Sequence, residues 1–132
     1  MFFPKEIFIY LQEKIKNKKD ISFEEIINYL FKHTGNIEAS FSSKLLSTIN
    51  PEMPILDQFV LQNLRIKIEA TPDKKVRLKN AIKAYNSIIE KEKELLAQKD
   101  VQKFVEDFKK FLPEYELTDI RILDYLLWGT RA

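Results

Sequence analysis

"SFEEIINYLFKHTG", residues 22–35, holds a complete helix between a start signal and a stop signal. Ser22 followed three residues later by Glu25 is a capping box, in which the hydroxyl takes up an amide that the helix leaves unpaired. Ile26, Ile27, Leu30 and Phe31 then recur at helical spacing and give one apolar face. Gly35 fits the left-handed position that ends a helix.

The same grammar extends in both directions. Upstream, Pro4 can open a first helix with Ile7, Phe8, Leu11 and Ile15 on one stripe, broken by the polar "KNKKD". Downstream, Asn36 is expected to cap a third helix carrying Ile37, Phe41, Leu45 and Ile49, ended by Asn50–Pro51 because the residue before proline avoids the helical region. Asp57 opens a fourth, with Val60, Leu61 and Leu64. Thr71 and Pro72 open a long fifth, whose seam of Leu78, Ile82, Tyr85, Ile89 and Leu96 is interrupted by Glu92. Asp100 is expected to cap a sixth, with Val101, Phe104, Val105, Phe108, Phe111 and Leu112, and Thr118 a seventh, ending at Gly129. Strand alternation competes only in "FIY" and "RIKIEA". The expectation is an all-α, compact single-domain bundle of six or seven helices.

Composition agrees. The chain has 132 residues, a natural length for one domain, with 45% hydrophobic and 32% charged residues and only 2 glycines to punctuate hairpins. A net charge of +2, left from 22 basic and 20 acidic side chains, creates no global field toward DNA or anionic lipid. With no cysteine there is no disulfide framework or thiol nucleophile. No run approaches the ~20 apolar residues of a membrane span and no secretory signal is evident, so no membrane association and a cytoplasmic location are expected.

Few residues carry chemistry. The one histidine, His33, lies at a helix end where it suits exposed carbonyls, and without paired carboxylates it makes no ligand set, so neither a metal nor a cofactor is expected. Ser40, Ser42 and Ser43 beside Lys44 read as a solvated helix face. Lys75, Lys79 and Lys83 stand four apart, hence on one face, and can track phosphates. Asp124 is placed to be half-buried against Arg121 or a lysine elsewhere, and Trp128 reads most simply as a core anchor, with base stacking as the alternative.

Asp57 stands apart. In "NPEMPILDQFVLQNL", residues 50–64, it follows two prolines and precedes an apolar run, which is the position of a helix cap. A capping carboxylate is held ionised by its amide donors, and so can also stabilise positive charge developing in front of it.

The segment "SKLLSTINPEMPILDQFVLQNL", residues 43–64, resembles the catalytic-aspartate segment of helix-hairpin-helix DNA glycosylases: a helix, a short loop, proline, two apolar residues, Asp, two residues and Val. The ending "DIRILDYLLWG" resembles the closing helix of small uncharacterised bacterial proteins with this segment. The two stretches cover about a quarter of the chain. The resemblance implies a helical glycosylase-like fold, DNA as partner, and Asp57 as heir to the aspartate that assists base–sugar cleavage after base flipping. The family's Leu-Pro-Gly-x-Gly hairpin is replaced here by "NIEASFSSKLL", without the glycine pair that sets amides against phosphate. Lys44 is given no nucleophilic role, being closer to Asp57 than the lysine of bifunctional glycosylases. On this reading Asp57 is the candidate catalytic residue, possession of the fold without the activity being equally compatible, and Lys44, Lys75, Lys79 and Lys83 are the candidate nucleic-acid contacts. The contrasting expectation is a helical module that binds a protein partner through Phe104, Phe108 and Phe111, with Asp57 only a cap.

Overall fold

The computed structural model describes residues 5–17 and 20–130. The described residues form seven helices: α1 (Lys5–Asn17), α2 (Phe23–Thr34), α3 (Ala39–Ile49), α4 (Gln58–Asn63), α5 (Lys74–Leu96), α6 (Lys99–Phe111) and α7 (Asp119–Gly129). No strand occurs among them, so "FIY" joins a helix and "RIKIEA" is irregular chain. Pro4, and the side chains of Ile7, Phe8 and Ile15, lie outside the described part.

Three expected caps are observed. Ser22 Oγ accepts the Glu25 amide at 3.0 Å, Asp57 Oδ1 that of Val60 at 2.8 Å, and Thr118 Oγ1 that of Arg121 at 3.1 Å. Gly35 closes α2 in the left-handed region, at φ 73°. Three others shift by two residues. Helix α5 is capped by Asp73, not Thr71, because its carboxylate takes two amides, Lys75 at 2.9 Å and Val76 at 3.2 Å, a stronger acceptor than a hydroxyl. Thr34 Oγ1 binds the Asn36 amide and carries the chain on, so that α3 starts after Glu38. Helix α6 starts after Gln98, with Asp100 inside its first turn.

Helix α5 is the spine: it packs against α2, α6 and α7, while α7 also meets α4 and α6, and α2 meets α3. The core gathers Phe23, Ile26, Ile27 and Leu30 of α2, Leu46 of α3, Val60 of α4, Tyr85 and Ile88 of α5, and Leu123 of α7. Phe23 stacks on Tyr85 with ring centroids 4.1 Å apart.

Two apolar stripes turn out differently from their sequence reading. On α3 the fourfold series Ile37, Phe41, Leu45 and Ile49 is only partly buried, and the sealed face is Ser42, Ser43, Leu46 and Ser47. Small hydroxyl side chains let that helix approach the 50s loop (residues 50–57), whose backbone Ser43 bonds. On α6 only Val105 is buried.

Candidate functional site

The loop that carries Asp57 has little freedom. Three consecutive residues ahead of Leu56's successor are held through their backbone by buried side chains from three helices. Tyr85 Oη on α5 donates to the Pro54 carbonyl at 2.8 Å. The Ile55 amide donates to Asp124 Oδ2 on α7 at 3.1 Å, and the Leu56 amide to Ser43 Oγ on α3 at 2.9 Å. Asp57 therefore enters α4 from a backbone fixed at the three preceding positions. Thr118 Oγ1 adds a bond to the Pro51 carbonyl at 2.7 Å, and Asn63 ties the far end of α4 to the carbonyls of Leu127 on α7 and of Thr130 just past its end.

In front of Asp57 lies a hollow of about 310 Å³, lined by Lys44, Ile55, Asp57, Val60, Asp124, Tyr125 and Trp128. Asp57 is half-buried in its wall, its Oδ1 engaged by the cap. Lys44 is exposed at the edge, so the serines next to it face inward while the lysine faces water. Tyr125 and Trp128 are 48% and 51% exposed, and Trp128 therefore lines a cleft and is not a core anchor.

Beneath the hollow is a buried charge cluster. Asp124 is 2% exposed and Glu92 0%. Arg121 approaches Asp124 Oδ2 at 3.4 Å and donates to the Ser47 carbonyl at 3.3 Å. Of the partners the sequence offered Asp124, Arg121 or a lysine elsewhere, the structure selects Arg121; the participation of Glu92 was not legible. Burial, then the Asp124 charge and a hydrogen bond with Asp124, push the Glu92 carboxyl up to about 10, so it keeps its proton. Asp124 is pushed up to about 6 by burial, against the opposing effects of the Glu92 and Ile55 hydrogen bonds and of Arg121; the Asp57 charge adds to the rise. The signal in the sequence was the break that Glu92 makes in the α5 seam.

The remaining candidates are elsewhere. Lys75, Lys79 and Lys83 are exposed on α5 and none lines this hollow. Lys83 instead borders a separate depression with Ile66, Lys67, Glu69 and Asn80. Lys44 and Asp57 are thus brought together, and the α5 stripe is not brought to them. His33 stacks on Tyr29 at 4.1 Å and its Nδ1 lies 2.9 Å from the Tyr29 carbonyl, a local helix-end contact. Among the described residues no group of three or more His, Cys, Asp or Glu is arranged to hold a metal, and no helix is long and apolar enough to cross a membrane.

A capping carboxylate, a lysine and two aromatic faces around one cleft can hold a flat, polar ring and an attached anionic group. Comparison with protein families, with curated proteins and with solved structures finds no match to this chain.

Proposed function

We propose that this protein engages nucleic acid through the hollow at Asp57, as a glycosylase-like helical protein in which an unstacked base enters between Tyr125 and Trp128. The observation that carries this reading is the coincidence of a rigidly aimed carboxylate, an exposed lysine and two part-exposed rings on one cleft of about 310 Å³. Base–aromatic stacking is worth ~1–3 kcal/mol per base, and a lysine at the rim meets the adjoining phosphate. The sequence resemblance of residues 43–64 to the glycosylase aspartate segment points the same way. Asp57 then sits where positive charge would develop on the sugar during cleavage of a base–sugar bond. The α5 lysines are contacts for phosphates beyond the cleft.

The chain has a single tryptophan, so its emission reports on this hollow directly. Titration with a short single strand should quench Trp128, and the affinity should fall with salt. Lys44→Ala should lower the salt slope by about one phosphate contact. An unchanged Trp128 signal together with a flat salt response would end this reading.

A protein-binding module without chemistry is the second reading, favoured by the phenyl face of α6. Phe111 is 81% exposed, Phe104 is 38% exposed and packs 6.2 Å from Phe108, and Tyr115 follows at 59%. Sedimentation over a concentration range, for the wild-type chain and for Phe111→Ser, tests whether that face associates; identical monomeric behaviour removes self-association from this reading.

A further inference from the structure

Each aromatic ring along the outer side of α6 is preceded by a charge, and the sign alternates. Lys103 precedes Phe104, Asp107 precedes Phe108, Lys110 precedes Phe111, and Glu114 precedes Tyr115 in the turn after the helix. Successive helical residues lie about 100° apart, so the row of rings is edged on one side by the row of charges. Its other side is edged by Val105, which the chain's own core buries. Phe111 is the most exposed of the rings, and Phe108, 6.2 Å from Phe104, is half-buried. The four charges are exposed, and none of them has an ion-pair partner among the described residues. Lys109, which points round the helix from them, is paired with Asp119.

A second copy of the chain complements this face. Two α6 helices laid antiparallel about a two-fold axis bring each charge row against the same row of the other copy. With Asp107 level with Lys110 of the second copy, Lys103 is level with its Glu114, and every facing pair is opposite in sign. Phe111 of each copy then falls between Phe104 and Phe108 of the other. Setting Asp107 against Lys103 also opposes the signs, but leaves Phe111 level with Lys99 and no ring. A parallel pair would turn the charge row toward the flank where Val105 is already buried. At ~200 Å² per ring, the exposed parts of Phe104, Phe111 and Tyr115 amount to on the order of 350 Å² per copy. With the flanking side chains, two copies bury on the order of 1,000 Å², the lower edge of a specific interface, so the association is reversible.

We propose that this protein forms a two-fold dimer through antiparallel α6 helices, in the register that sets Asp107 against Lys110 and Lys103 against Glu114 of the second copy. This rests on the reading of α6 as an interaction face and commits that face to one partner. None of these residues lines the hollow at Asp57, so both hollows stay open in the pair.

The test is sedimentation equilibrium of the full chain, which should show monomer and dimer exchanging with a dissociation constant of roughly 10–100 μM. Phe111→Ser should abolish the dimer. Asp107→Lys and Lys110→Asp should each weaken it roughly tenfold, because like charges then meet twice across the axis. Mixed in equal amounts, those two variants should associate about as well as wild type, since each supplies the sign the other lacks. Asp107→Lys mixed with Lys103→Asp should not recover, which separates this register from its alternative. All the altered side chains are exposed, so the fold is not at stake. A dimer lost in Phe111→Ser but not recovered by the first mixture overturns the proposal and leaves α6 an interaction face. A chain that stays monomeric to ~1 mM overturns it too, and leaves that face only to a different protein. A dimer that Phe111→Ser leaves intact overturns both.

Discussion

The Ser43 hydroxyl accepts the Leu56 amide at 2.9 Å and itself donates to the Ser40 carbonyl at 2.8 Å, so one small side chain fixes the backbone just before Asp57. Its neighbour Ser42 is equally sealed, but its Oγ has no partner. Adjacent serines with the same burial should therefore respond in opposite ways to alanine. Ser43→Ala strands a buried amide and should cost about 1–3 kcal/mol. Ser42→Ala removes an unsatisfied hydroxyl and should be neutral or slightly stabilising. Urea midpoints of the two variants decide the matter; equal losses would mean the hydroxyl bond contributes nothing.

Asp57 has a capping role whatever else it does. Asp57→Ala should cost about 1 kcal/mol through the lost bond to the Val60 amide. Asp57→Asn keeps an acceptor at the cap and removes the charge, so stability should stay near wild type. Oligonucleotide binding or base release by that variant then isolates the electrostatic contribution, and undiminished function in a normally folded Asn variant would remove it.

The buried acid pair makes stability depend on pH with a definite sign. Glu92 and Asp124 both hold protons more tightly folded than unfolded, so above the ordinary carboxylate range the folded state binds more protons. Their contribution is fully present below pH ~4 and is lost as the pH rises, through about 6 for Asp124 and toward about 10 for Glu92. Glu92→Gln removes the Glu92 part while keeping a donor toward Asp124. It should match wild type near pH ~4 and become the more stable protein as the pH rises to ~8. Denaturant midpoints across that range test it, and parallel curves would show that Glu92 does not retain its proton.

Gly35 has φ 73°, and a Cβ built there meets nothing within 4 Å. The cost of Gly35→Ala is therefore backbone conformation alone, about 1 kcal/mol. A loss of several kcal/mol in urea unfolding would point to a steric role that the open surroundings do not provide.

The all-helical architecture was legible in the chain because its signals are local. Ser22, Asp57 and Thr118 cap helices through amides three residues away, and the 3.6-residue recurrence of Ile26, Ile27 and Leu30 requires only its own segment. Where two acceptors competed, as Thr71 and Asp73 did at the start of α5, the register was resolved by which oxygen reached two amides at once. Asp57 and Lys44 could be singled out one by one from sequence. That they share a hollow with Tyr125, Trp128 and Asp124 depends on α3, the 50s loop and α7 meeting, which no local spacing specifies. The inward turn of Ser42 and Ser43, the outward turn of Trp128, and the sealing of Glu92 beside Asp124 likewise follow from which face each helix presents to its neighbours. Short-range hydrogen bonding determined the helices; long-range packing alone decided which polar groups were taken out of water, and hence where a charge can act.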